Sequence, residues 1–218
     1  MINLIRHQDF FDPVNIDHHI HVIGVGAVGS HIATFLTRLG VKSLHIWDFD
    51  TVDSHNIPNQ MYRESDIGQS KVDALAEQLL GINSELKIQT HHKYENQTLS
   101  GYLFVAVDNI ELRHKIYTQH EFIAGVKAVF DTRIGLDIGQ VFSADWTKDE
   151  QVQNIIAAST FTHEEVEEET TACGSKLAVL PTVILAANTA VTNFINFHKT
   201  STLKTFISFN SFDLKISQ

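Results

Sequence analysis

The sequence predicts a mixed α/β fold, with a mostly parallel sheet, helices on both faces and antiparallel strands extending it at the C-terminal end. Three observations predict it. Short apolar runs of strand length alternate with helical stretches between residues 20 and 134. A G-x-G-x-x-G joins the first of those strands to the first helix. Beyond residue 134 the pattern becomes the alternation of antiparallel strands, interrupted by one long apolar helix.

Residues 20–23 (IHVI) form a short buried strand, and a helix is expected over about 29–39. Residues 44–47 (LHIW) form the next strand, ending at Asp48, and 51–67 form a long polar loop. A helix over 71–80 follows from the spacing of Val72, Leu75, Ala76 and Leu79. Strands are expected at 86–91, 102–107 and 128–131, with a helix over 111–125 between the last two. Residues 139–146 and 205–216 alternate as antiparallel strands, and 180–197 form the long helix between them.

The 218 residues fit a single domain, with an N-terminal arm over 1–19 and an acidic crossover loop over 159–176. A content of 43% hydrophobic residues fills a core of that size, which excludes disorder for most of the chain. Uninterrupted apolar runs fall short of the roughly 18 residues a membrane span needs, and the N-terminus has no secretory pattern. A cytoplasmic protein that engages no membrane is expected. The formal charge of −10 disfavours a nucleic-acid binder. Five carboxylates crowd into HEEVEEE at 163–169, read either as a solvated loop or as a landing patch for a basic partner. The 13 histidines cluster at His18, His19 and His21 and at His91 and His92, without Cys, Asp or Glu partners at metal-ligand spacing. One cysteine cannot build a multi-cysteine zinc site, so no structural zinc is expected.

The glycine motif is Gly24-Val25-Gly26-Ala27-Val28-Gly29. Gly24 suits the tight turn, Gly26 lets backbone approach a phosphate, and Gly29 lets the helix pack closely. The helix N-terminus offers free N–H groups and a positive dipole end to an anion. Asp48, 19 residues after Gly29, stands at the tip of the next strand, where a carboxylate accepts ribose hydroxyls. This pattern marks a Rossmann-like nucleotide site and leaves NAD and ATP both open.

Further motifs carry a resemblance. Asp48-Phe49-Asp50-Thr51-Val52, Asn56-Ile57-Pro58-Asn59-Gln60, and Gly68-Gln69-Ser70-Lys71 are similar to the D-x-D-x-V, N-x-x-R-Q and G-x-x-K of the ThiF/MoeB family. Val107-Asp108-Asn109 with Arg113, and Thr171-Ala172-Cys173 before the long helix, continue the likeness over about residues 20–216. The resemblance implies an adenylyltransferase that couples ATP and Mg²⁺ to the C-terminal carboxylate of a small ubiquitin-like or sulfur-carrier protein, in a homodimer. It implies that Lys71 holds the phosphates, Asp108 the Mg²⁺ and Asp48 the ribose. Gly24, Gly26, Ala27, Gly29, Asp50, Asn56, Asn59, Gln60 and Asn109 would line the nucleotide. From the residues alone, Lys71 also reads as a solvated first-turn lysine and Asp108 as a helix cap.

The chain departs from the family at three places, one of them the paired CxxC zinc motifs of many relatives, which a single cysteine cannot make. The family's arginine beside the triphosphate falls at Asn59, so either Arg63 or another cation substitutes, or adenylation is weak. Arg6-His7-Gln8 is either a shortened form of the family's arginine finger into the partner subunit or plain surface. Cys173 is either a nucleophile taking the activated acyl group, its thiolate favoured by a nearby helix N-terminus, or a bystander. Two other functions stand beside adenylation. One is a nucleotide-binding scaffold without catalysis, favoured by Asn59. The other is an NAD(P)-dependent oxidoreductase, which leaves Lys71 and Asp108 unexplained.

Overall fold

In the computed structural model, which describes residues 2–160 and 178–217, eight strands form one sheet in the order β3-β2-β1-β4-β5-β6-β7-β8. The strands are β1 (Ile20–Ile23), β2 (Ser43–Trp47), β3 (Lys87–His91), β4 (Gly101–Val105), β5 (Val126–Ile134), β6 (Ile138–Asp145), β7 (Phe206–Asn210) and β8 (Lys215–Ser217). The first five pair in parallel, and the remaining three add antiparallel beyond β5. β1 is buried at every position, as expected of a strand covered on both faces.

Helices α1 (Ala27–Arg38), α2 (Lys71–Ile82) and α5 (Leu180–Thr200) cover one face. There Ile32, Leu36, Leu75, Val183 and Phe194 pack on Val22, Ile46, Phe104 and Phe130. Helices α3 (Ile110–His120) and α4 (Asp149–Ala157) cover the other, with Ile116, Tyr117, Val152 and Ile155 against Leu103, Val105 and Val129. β3 returns to β4 through residues 92–100 without a helix, and Tyr94 of that segment packs edge-on against Trp47 of β2. His19, His21, His45, Trp47 and His91 lie together there.

Several boundaries differ from the sequence reading. α3 stops at His120, not at 125, because Trp146 Nε1 takes the His120 carbonyl and the chain must turn for Gly125 to meet Gly101. α4 was not expected, although Val152, Ile155 and Ile156 carry helical spacing. Residues 205–216 form two strands, β7 and β8, joined by a turn in which Leu214 has φ 54°. α5, at 21 residues, is apolar and long enough to cross a membrane by length and composition, which counting uninterrupted runs overlooks. It is instead packed on β5, β6 and α1, with Asn193 buried and bonded to Ser143.

Strand order reverses between β1 and β4. In open α/β sheets that reversal opens a crevice beyond the carboxyl ends of the strands, where ligands bind.

Candidate functional site

The glycine loop and the turn after β4 meet at that crevice. Gly24 has φ 84°, and a Cβ there would lie 2.8 Å from the Ala106 carbonyl oxygen. A Cβ on Gly29 would sit 1.8 Å from the Gly24 oxygen, so this glycine is required for α1 to start so close to the loop. A Cβ on Gly26 would meet nothing within 4 Å, which leaves open space over the first turn of α1. No side chain caps that turn, so its N–H groups face the space unclaimed by a cap. Ala27 opens α1, with its carbonyl taking Ser30 Oγ.

Asp48 is tied to this loop. Its Oδ2 accepts from Val25 N at 2.8 Å and its Oδ1 from Asp50 N at 2.9 Å. Burial raises its pKa, opposed by those N–H groups and by Lys71. Each oxygen keeps a lone pair for a further donor such as a ribose hydroxyl. Lys71 is buried, not a solvated first-turn lysine, and Nζ pairs with Asp50 Oδ2 at 2.8 Å. Its backbone N also donates to the Asp50 carbonyl. Lys71, Asp50, Asp48 and Val25 thus form one chain of contacts ending in the glycine loop.

The polar loop 51–67 is held in short 3-10 turns. Asn56 is buried and its Oδ1 accepts from Asp53 N, so its amide shapes the loop. Gln60 Oε1 is buried without a hydrogen-bond partner among the described residues. Asn59 donates from Nδ2 to the Ala178 carbonyl at 2.9 Å and ties the loop to the chain entering α5. Arg63 is exposed and makes no side-chain ion pair among the described residues. Tyr62, which the sequence reading missed, donates its hydroxyl to the Val25 carbonyl at 2.7 Å. Burial and the carboxylates of Asp48, Asp50 and Asp66 push that phenol's pKa up. An aromatic residue within a polar loop was its only sequence signal.

Beyond β4, Asn109 is the cap of α3, its Oδ1 accepting from Leu112 N at 2.7 Å. The capping role considered for Asp108 therefore belongs to Asn109. Asp108 is exposed and makes no hydrogen bond or ion pair among the described residues, which leaves its carboxylate available to a cation. Among the described residues no three His, Cys, Asp or Glu side chains are grouped to hold a metal. A single carboxylate would suit Mg²⁺ beside bound phosphates, since that ion keeps most of its waters and takes one or two carboxylates plus phosphate oxygens.

Arg6 lies apart from this crevice. The arm packs at the far end of α1, where His7 Nε2 bonds to the Leu39 carbonyl, and Arg6 itself is exposed. A helix of α1's length places it about 18 Å along the axis from the glycine loop. Cys173, Thr171, Ala172 and the acidic run 163–169 lie outside the described residues.

Residues 16–218 match the ThiF family. Ubiquitin-like modifier-activating enzyme 5 of Oryza sativa subsp. japonica is 36% identical over 75 residues, 34% of this chain and 18% of that protein. Its Drosophila virilis counterpart is 35% identical over 95 residues, 44% of this chain and 22% of that protein. The chain therefore spans about a fifth of these relatives. Two structures of Escherichia coli MccB share the fold. The one with MccA-N7isoASN has a TM-score of 0.73 at 17% identity, covering 92% of this chain and 64% of that one. The one with ATP has a TM-score of 0.70 at 17% identity, covering 93% and 63%.

Proposed function

Because the chain belongs to the ThiF family, we propose that it uses ATP to activate the C-terminal carboxylate of a small ubiquitin-like or sulfur-carrier protein as an acyl-adenylate. The observation that carries this reading is the contact between the glycine loop and the turn bearing Asp108. A free carboxylate there stands next to open, N–H-lined space. Relatives named as ubiquitin-like modifier-activating enzymes, and a fold neighbour solved with ATP, support it.

In this reading the glycine loop and the first turn of α1 hold phosphates through N–H groups and the helix dipole. Asp48 accepts from the ribose. Lys71 brings positive charge toward the phosphates, held in place by Asp50. Asp108 holds Mg²⁺, which when bound neutralises charge developing on the phosphates. The partner's carboxylate oxygen attacks the α-phosphorus, a new P–O bond forms, and the bond to the leaving pyrophosphate breaks. No proton moves in that step. Positioning and charge neutralisation therefore account for the rate.

A homodimer belongs to the same proposal. Arg6 is exposed and far from its own crevice, as a residue serving a second copy would be. The second reading, a nucleotide-binding scaffold, is favoured by Asn59, whose neutral amide is already bonded to Ala178. Carrier-dependent exchange of labelled pyrophosphate into ATP tests the two. Exchange that disappears in Asp108→Ala supports adenylation, whereas nucleotide binding with no exchange for any carrier supports the scaffold.

A further inference from the structure

A buried charge cluster lies directly beneath the turn that carries Asp108. Arg113, on the first turns of α3, is buried, and its guanidinium donates to the carbonyls of Val105, Val107 and Thr132. Two of those carbonyls belong to the segment leading from β4 to Asp108, and the third to the neighbouring strand. The same guanidinium pairs with Asp131, whose side chain is fully buried. Asp131 also receives Arg133, through Nε at 3.0 Å and Nη2 at 2.8 Å. Arg133 Nη1 donates onward to the Ala158 carbonyl, just past α4, at 2.7 Å, and its guanidinium lies 4.4 Å over the Phe142 ring.

One carboxylate thus serves two guanidinium groups, and burial pulls Arg113 down to about 10. Burying such groups is costly, and a hydrophobic replacement of similar volume often serves a fold equally well. The cluster's position supplies a reason for it. Asp131 stands opposite Val105 in the sheet register, so the cluster is level with the point where the chain leaves β4 for Asp108. A guanidinium binds several carbonyls in a fixed plane, as an ammonium cannot.

The geometry points to Arg113, steadied by Asp131 and Arg133, as the positioning residue for Asp108: it fixes the β4–α3 turn so that the carboxylate is presented to Mg²⁺ beside the glycine loop. Arg113 touches neither metal nor nucleotide. This inference rests on the adenylation reading, because it assumes that Asp108 takes the metal.

The test is the gain in ATP affinity that Mg²⁺ confers, measured by calorimetry with and without the metal on wild type and Arg113→Lys. Manganese EPR of the ATP complex reports the ligand geometry. Lysine keeps the charge but cannot bridge three carbonyls and a carboxylate. The magnesium-dependent gain should fall roughly 10- to 100-fold, the usual effect of removing a residue that orients a metal ligand. Metal-free ATP binding should stay as in wild type. A wild-type gain in Arg113→Lys overturns the inference, as does an equal loss with and without metal, which marks general damage to the fold. If Arg113→Lys does not fold, Arg133→Lys carries the same test, because its side chain is 20% exposed. A gain that vanishes in Asp108→Ala but survives in the Arg variants sinks only the positioning role. A wild type with no gain sinks the metal assignment as well.

Discussion

Gly26→Ala separates ligand binding from folding more cleanly than any other substitution at this site. A Cβ at Gly26 meets no atom within 4 Å, so the added methyl strains no packing and enters only the open space over α1. As a helix cap, alanine is worse than glycine by under about 1 kcal/mol. For a chain of this size that shifts Tm by no more than about 4 °C. A phosphate seated on the loop would lose at least one charge-assisted hydrogen bond, worth about 1.5–3 kcal/mol. ATP affinity should therefore fall roughly tenfold to a hundredfold. Gly29→Ala is the contrast, since its Cβ would sit 1.8 Å from the Gly24 oxygen and the backbone would have to move. That variant should lose at least about 1–3 kcal/mol of stability, as overpacked sites do. Thermal melts and ATP titrations on both variants make the comparison. Wild-type ATP binding in a folded Gly26→Ala would refute the placement of phosphate over this loop.

Other outcomes follow from the same contacts. Lys71→Met should remain folded and lose pyrophosphate exchange, because methionine fills the buried stem without the charge. Tyr62→Phe should lose about 1 kcal/mol in a chemical melt, the usual worth of one hydrogen bond, and bind ATP more weakly as the Val25 carbonyl is freed. Arg6→Ala should weaken pyrophosphate exchange, because in a dimer of the variant each crevice loses the arginine of the other copy, and wild-type exchange would remove Arg6 from that role. Stability should fall on acidification. Burial, with neighbouring imidazoles, lowers His21 to about 3 and His45 to about 4. The unfolded chain takes up those protons first, near pH 6.5, so stability is complete above that pH and declines as pH falls toward 4. Urea midpoints at pH 7.5, 6 and 5 check this, and His45→Gln should flatten the trend.

Much of this architecture was legible because parallel strands, buried on both faces, read as short apolar runs. The glycine loop was legible in detail, since Gly24 and Gly29 each meet a steric demand that sequence spacing announces, while Gly26 leaves open space over α1. The Asp50–Lys71 pair was not, because two residues 21 apart reveal no contact until β2 and α2 are placed. Tyr62 and the Arg113–Asp131–Arg133 cluster were hidden for the same reason. Arg133 lies in a strand where a charge looks like a surface residue, and only the fold shows that its partner is a buried carboxylate. The histidines read as two separate clusters, at 18–21 and 91–92, and the strands bring His19, His21, His45 and His91 together on one face.

The most direct measurement is a calorimetric titration of the protein with ATP·Mg²⁺ and, separately, with NAD⁺, repeated on Asp108→Ala. The adenylation account predicts ATP binding that magnesium strengthens, a loss of that strengthening in the variant, and no NAD⁺ binding. NAD⁺ binding without ATP binding would contradict it.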